Sequence, residues 1–207
     1  MKLNWFKKGI VKFVSGIFFP IKIYGKENLP EGSAVVVCNH LSIIDSVYFV
    51  KLNLHENFSI IAKKELFDNK LVGKILKSYG AVAIDRDNPD VKTLISVIKN
   101  LKNGEKVLLF PEGTRNKTGT TELQKIKDGS SIFALRAKCP IVPVIIYKKA
   151  RLFNKNKMIV GKPFELTDFY DKKGADLDNA KMTNLIYEKM CFEQQNLFET
   201  VKKKKKQ

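Results

Sequence analysis

Disulfide bonding has little to work with in this chain. Three cysteines, Cys38, Cys139 and Cys191, are scattered through 207 residues in apolar or helical contexts. An odd set with no CxxC pairing argues against a disulfide framework and against a zinc site, and fits a reducing cytoplasm. Histidine is scarcer still, with two residues. Long apolar runs are missing too: nothing approaches the roughly 18–20 uncharged residues of a spanning helix. The N-terminal candidate, Phe13 to Ile21, is short and lies between Lys12 and Lys22. It also makes a poor signal peptide, because Phe18-Phe19-Pro20 is no small-residue cleavage site. Acidic residues are in deficit, 21 Asp and Glu against 38 Lys and Arg, for a net charge of +17 and a pI of about 9.7. So large an excess implies an anionic partner: nucleic acid, an acidic membrane surface, an anionic substrate or an acidic protein. Nucleic acid fits worst, since aromatic residues are not interleaved with basic ones in a base-stacking pattern and no binding module is visible.

What is present suits one compact domain with a basic appendage at each end. The chain is 44% hydrophobic, enough for a sizeable core. Residues 1–24 read as an amphipathic helix, with Leu3, Phe6, Ile10, Phe13, Val14 and Ile17 on one face and Lys7, Lys8 and Lys12 bordering it. Pro20 should end or kink it. Such a segment can lie in a membrane interface, where apolar area and attraction to anionic lipid both contribute, or it can cover a core. Residues 25–201 form the main domain, and residues 202–207 a solvated basic tail.

Within the main domain, strands alternate with helices. Ala34 to Cys38 is a continuous apolar run of the kind buried on both faces of a parallel sheet. Further strands are expected at 59–62, 80–84, 106–110, 141–147 and 158–160, with Pro143 implying an edge, a strand end or a bulge. Helices are expected after Ser42, over 71–78, after the Asn88-Pro89 start, over 126–138 and over 177–201. The fold class is therefore α/β, a mainly parallel sheet covered by helices on both faces. Ligands of such sheets bind beyond the C-terminal ends of the strands. His40, Lys63 and Lys64, Arg86, and Glu112 with Arg115 all fall just past such ends.

Two short stretches carry chemistry. In Asn39-His40-Leu41-Ser42-Ile43-Ile44-Asp45, a histidine in the turn and an aspartate in the first helical turn can converge. A carboxylate on one ring nitrogen would orient the other as a general base for an alcohol. Equally, Ser42 and Asp45 can form a capping-box-like helix start, with His40 a turn residue. In Phe110-Pro111-Glu112-Gly113-Thr114-Arg115, Gly113 allows close backbone approach and Arg115 offers a planar fork for phosphate or carboxylate. The alternative is an ordinary loop with a local ion pair. Arginine is rare in this chain, yet single arginines, Arg86 and Arg115, stand at two successive expected strand ends. His55 has no comparable partner nearby and reads as a surface residue.

Taken together, these stretches resemble the glycerolipid acyltransferases, the family of 1-acyl-glycerol-3-phosphate acyltransferase. Asn39 to Asp45 looks like the family's HxxxxD motif, Gly80 to Arg86 its second block, Phe110 to Arg115 its third and Ile141 to Val144 its fourth. Lys63-Lys64-Glu65-Leu66 and Lys127-Asp128-Gly129 also match family signatures, and the likeness covers roughly residues 25–165. The resemblance implies transfer of a fatty acyl group from a thioester to the free hydroxyl of a lysophosphatidic acid. His40 would take the hydroxyl proton and Asp45 would orient His40. Lys64, Arg86 and Arg115 would hold the phosphate; Glu112 and Gly113 would shape the acceptor pocket, with Thr114 beside them among the substrate-binding residues. The donor would be acyl-CoA or acyl-ACP as co-substrate, with no metal and no bound cofactor. The implied partners are an anionic membrane surface, lysophosphatidic acid and an acyl donor that includes acyl carrier protein, and no nucleic acid. The implied location is the cytoplasmic face of the cell membrane, peripheral or monotopic. Glycerol-3-phosphate or another lysolipid is the alternative acceptor.

Overall fold

The computed structural model describes residue 13 and residues 16–52, 58–78, 80–85, 90–172 and 174–204. Its centre is a seven-stranded sheet built from β1 (Ile21–Tyr24), β2 (Ala34–Cys38), β3 (Phe58–Lys63), β4 (Ala81–Ile84), β5 (Lys106–Leu109), β6 (Ile141–Ile146) and β7 (Asn156–Val160). The strand order is β1-β7-β6-β2-β5-β3-β4. The five strands from β6 to β4 are mutually parallel; β7 runs antiparallel to β6, and β1 pairs parallel with β7.

Alternation along the strands divides the core into two layers. Val35 and Val37 of β2 face one layer with Val107, Leu109, Ile141 and Ile145. Ala34, Val36 and Cys38 face the other with Leu108, Val142, Val144 and Ile146. The first layer is covered by α3 (Val91–Lys102), α4 (Gly129–Ala137) and α5 (Asn179–Lys203). The second is covered more thinly, by α1 (Asp45–Tyr48) and the 3-10 turn Phe49–Leu52 that extends it. Helix α2 (Lys70–Ser78) links β3 to β4. The expected α/β class with helices on both faces is thus what the chain adopts, with unequal cover. No helix among the described residues is long and apolar enough to cross a membrane.

Several local expectations are corrected. The helix expected over residues 1–24 does not reach residue 24. Phe13 and Gly16–Phe18 are helical, Pro20 interrupts, and Ile21–Tyr24 become β1. Ile21 and Ile23 pack on one core layer and Tyr24 on the other, which is strand alternation. Most of the proposed N-terminal stripe lies outside the described residues. Helix α3 starts at Val91, capped by the Asp90 side chain accepting from the Lys92 N–H at 3.2 Å; Asn88 and Pro89 lie outside the described residues. Helix α4 starts only at Gly129, because the Lys127 N–H is held by the Pro111 carbonyl at 2.8 Å. Lys202 and Lys203 belong to α5 rather than to a loose tail, since its buried stripe of Met182, Ile186, Met190, Leu197 and Val201 runs to the helix end.

Pro143 sits in an interior strand, not an edge. The Gly161 N–H donates to the Pro143 carbonyl at 2.8 Å, but proline returns no bond, and the β6–β7 ladder stops at Val144. Beyond it Ile141 and Phe164 exchange bonds of 2.8 and 3.0 Å. Two residues on β6 therefore face three on the partner, a bulge that absorbs the missing donor.

Chain direction also locates the site. From β2 the chain passes through α1 on one face to reach β3; from β5 it passes through α4 on the other face to reach β6. Adjacent strands β2 and β5 thus send their connections to opposite faces. Such a switch point opens a crevice beyond their C-terminal ends.

Candidate active site

The two motif stretches meet in that crevice. His40 follows β2, and the loop 110–116 follows β5. They are clamped through the backbone of His40. Its N–H donates to Glu112 Oε1 at 2.9 Å, and its carbonyl accepts from the Asn116 N–H at 2.8 Å. The turn between is tightened by the Gly113 N–H donating to the Phe110 carbonyl at 3.0 Å. Gly113 has φ +73°, a backbone conformation that favours glycine, and the Lys127 side chain packs against its α-carbon. The His40 ring stacks on Phe110, with centroids 4.0 Å apart and planes 17° from parallel.

Asp45 is fully buried and acts on three donors at once. Its Oδ2 lies 3.1 Å from His40 Nδ1 and accepts from the Leu41 and Ser42 N–H groups, each at 2.6 Å. The Ser42 hydroxyl accepts from the Ile44 N–H at 3.3 Å. Half of the expected capping box forms: Asp45 accepts the Ser42 N–H, but the Ser42 hydroxyl meets Ile44 rather than Asp45, and α1 has no side-chain cap at Ile44. Two backbone amides pull the carboxylate back over the turn, which places Oδ2 against the imidazole. An ionised carboxylate only accepts, so Nδ1 carries the hydrogen and Nε2 is the basic nitrogen. The ring is 16% exposed, open to a substrate yet held on one side by Phe110.

Burial pushes the Glu112 carboxyl up to about 7, with nearby Asp45 adding; the His40 and Gln124 backbone N–H groups pull the other way. Its Oε2 is buried with no hydrogen-bond partner among the described residues. Burial, then Asp45 and Glu112, also pushes the Cys38 thiol well above its ordinary value, so this neighbour of the site remains a thiol and not a thiolate nucleophile at neutral pH.

Similarity to known proteins agrees with this geometry. Residues 20–147 match the family model described as acyltransferase. The 1-acyl-sn-glycerol-3-phosphate acyltransferase of Bacillus subtilis is 39% identical over 155 residues, which cover 72% of this chain and 76% of that protein. The chain belongs to the acyltransferase family. The Helicobacter pylori protein of the same description is 32% identical over 131 residues, 61% of this chain and 54% of its own length. The crystal structure of the acyltransferase PlsC from Thermotoga maritima superposes with a TM-score of 0.66 at 22% identity, covering 94% of this chain and 79% of that one. At that identity the likeness speaks for the fold.

Among the residues marked in the acyltransferase sequence, the structure gathers His40, Asp45 and Glu112 into one hydrogen-bonded unit. Thr114 and Arg115 are exposed on the loop that this unit holds. Arg115 has no ion pair among the described residues. Lys64 is exposed at the start of the 3-10 turn after β3. It stands two strand positions from β2, roughly 10 Å across the sheet. The Lys63 ammonium pairs with Glu65 at 2.8 Å. Arg86 and His55 lie outside the described residues.

Two positions that hold His40 in place escape sequence reasoning. Asn39 is buried, and its amide spans the gap to β6: Nδ2 donates to the Ile146 carbonyl at 3.0 Å and Oδ1 accepts from the Ile146 N–H at 2.8 Å. It extends the β2–β6 ladder by one side-chain pair and fixes the base of His40. Asn116 holds the other side of His40 and folds its own loop, accepting from the Thr118 N–H and donating to the Glu122 carbonyl. The signal for Asn39 was a polar residue directly after a wholly apolar strand. For Asn116 no sequence signal stands out.

Proposed function

We propose that this chain transfers a fatty acyl group from a thioester to the sn-2 hydroxyl of 1-acyl-glycerol-3-phosphate, giving phosphatidic acid. The observation that carries the reading is the joined unit of His40, Asp45 and the Glu112 loop. A base with a defined tautomer is bonded, through its own backbone, to the loop that bears Arg115.

The step balances as follows. Nε2 of His40 takes the proton of the acceptor hydroxyl as the oxygen attacks the thioester carbonyl carbon. Asp45 stabilises the resulting imidazolium through the Nδ1–H bond. The tetrahedral adduct collapses, the C–S bond breaks, and the imidazolium returns its proton to the departing thiolate. An ester and a free thiol result, and no electrons are exchanged with a metal or redox group. Base catalysis of this kind contributes about 10²–10⁴-fold. Arg115, with Lys64 and Arg86, would neutralise the acceptor phosphate; Glu112, Gly113 and Thr114 would shape the acceptor pocket.

The donor is acyl-CoA or acyl-ACP, and the +17 charge favours both a polyanionic nucleotide and an acidic carrier protein. The same charge supports work at an acidic membrane, on its cytoplasmic face, as a peripheral or monotopic enzyme. Exposed Phe13, Ile17 and Phe18 beside the sheet support the N-terminal segment as the anchor. An acyl-transfer assay crossing lysophosphatidic acid and glycerol-3-phosphate with both donors tests the assignment. The expected product is phosphatidic acid from lysophosphatidic acid, lost in a folded His40→Ala variant; full activity of that variant would refute the base.

A further inference from the structure

The loop from β6 to β7, residues 147–155, carries features that the acyl-transfer step leaves unused. Leu152 and Phe153 stand consecutively at its tip, 61% and 67% exposed. Phe153 has φ +57°, a left-handed conformation that glycine or asparagine adopts easily and a bulky side chain does not. The ring stays 67% exposed in that conformation. The loop is also tied to the N-terminal segment. The Phe153 N–H donates to the Phe18 carbonyl at 2.7 Å, and the two rings are 5.3 Å apart. Phe13 and Ile17 are also exposed, adding apolar surface to that of Phe18.

Immediately beside this apolar tip the surface is strongly cationic. Lys117, Lys148, Lys149 and Arg151 line a cleft of about 390 Å³ whose wall includes Leu41 and Asn116. Lys148 Nζ donates to Asn154 Oδ1 at 2.6 Å. None of the four cations has a carboxylate partner among the described residues. Leu41 and Asn116 flank His40, by sequence and through the Asn116 bond to its carbonyl. The cleft is walled by the loop after β5, through Asn116 and Lys117, and by the loop after β6, through Lys148, Lys149 and Arg151.

We propose that the β6–β7 loop is a second membrane-docking element: Leu152 and Phe153 enter the interface of an acidic phospholipid bilayer beside Phe18, while Lys117, Lys148, Lys149 and Arg151 take lipid phosphates in the adjoining cleft. The proposal rests on the membrane-surface reading above. An acidic bilayer is the occupant because it alone offers apolar depth at the tip and a continuous field of phosphates behind it. One anchor leaves the molecule free to roll; two anchors joined at Phe18 and Phe153 set its angle. The cleft, walled by Leu41 and Asn116 next to His40, then opens on the lipid surface from which a lysolipid acceptor arrives.

The test uses the full-length chain. Wild type, Phe153→Asn, Leu152→Ser/Phe153→Asn and Lys149→Glu/Arg151→Glu are sedimented with phosphatidylglycerol/phosphatidylcholine vesicles and with pure phosphatidylcholine vesicles. Each is also assayed on a short-chain lysophosphatidic acid kept below its micelle concentration. Phe153→Asn is expected to melt no lower than wild type, since asparagine tolerates the backbone. Leu152→Ser/Phe153→Asn should lose at least about tenfold in partitioning to acidic vesicles, with transfer to the monomeric acceptor unchanged. Lys149→Glu/Arg151→Glu should lose the acidic-vesicle preference and its salt sensitivity. Wild-type partitioning of the loop double variant would overturn the docking element. A raised donor KM with intact vesicle binding in Lys149→Glu/Arg151→Glu would assign the cleft to the donor and overturn its lipid role. Vesicle binding that responds as expected in a protein unable to transfer acyl groups would sink the enzymatic reading and leave the docking element standing.

Discussion

Glu112 Oε1 accepts the backbone N–H of His40 at 2.9 Å, so the turn after β2 and the loop after β5 are joined main chain to side chain across adjacent strands. The remaining oxygen, Oε2, is buried with no hydrogen-bond partner among the described residues. A carboxyl in that position makes the fold itself sensitive to pH.

Glu112→Gln should therefore stabilise the protein, and more so as pH rises. The folded carboxyl is pushed up to about 7 from an ordinary 4.5. Between these values the unfolded chain holds fewer protons than the folded one, so stability falls as pH rises through the window. The full shift corresponds to about 3 kcal/mol as an upper bound. Glutamine keeps the acceptor for His40 and carries no charge. Urea denaturation at pH 5 and pH 8 should show a gap between variant and wild type that widens with pH. A gap that is constant or narrows would contradict the burial of an ionising Glu112.

Asp45 and His40 should separate in stability although both abolish turnover. Asp45→Ala strands the Leu41 and Ser42 N–H groups, which bond its Oδ2 at 2.6 Å. Each unsatisfied buried donor costs about 1–3 kcal/mol, so a loss of about 2–5 kcal/mol is expected. His40→Ala leaves both bonds in place and should cost about 1–2 kcal/mol. Chemical denaturation of the two variants, alongside their transfer rates, makes the comparison. Equal destabilisation would mean that Asp45 does not hold the turn.

Asn39→Ala should weaken the sheet end that carries the base. It removes both bonds to Ile146, at 3.0 and 2.8 Å. A destabilisation of about 2–4 kcal/mol is expected, with kcat reduced and the donor and acceptor KM values little changed. Normal stability in Asn39→Ala would show that water or a strand shift replaces the amide.

Arg115→Ala should raise KM for the phosphorylated acceptor more than for the donor, because the guanidinium is exposed on the loop and free of ion pairs among the described residues. Equal changes in the two KM values would refute a phosphate role.

Much of the architecture was legible because its signals are local. Ala34 to Cys38 is wholly apolar and is buried on both faces, and Val91 to Lys102 carries its stripe as a helix. Expectations failed where a distant partner overrode the local pattern. Ile21–Tyr24 continue an apolar segment that reads as helix, yet β7 recruits them as a strand. Helix α4 begins late because the Lys127 N–H is taken by Pro111. Pro143 is accommodated inside the sheet by a bulge on the Gly161 side, where the chain also passes so close to Glu193 that a Cβ would lie 2.5 Å from its Cγ.

The sequence by itself determined which residue types were available for the chemistry. One histidine is followed five residues later by an aspartate, Glu-Gly-Thr-Arg ends a later strand, and the order of these blocks marks the family. It could not decide between a helix cap and a catalytic pair at Asp45, because spacing carries no information about where a carboxylate oxygen points. Only the tertiary structure showed that the same Oδ2 meets both the His40 ring and the Leu41 and Ser42 N–H groups of the turn. It also brought the Glu112 loop onto His40, placed Asn39 and Asn116 on either side of it, and set Phe153 against Phe18. These relations span adjacent strands or remote segments. They depend on the order of strands in the sheet, which sends the chain from β2 and β5 to opposite faces and opens the crevice between them.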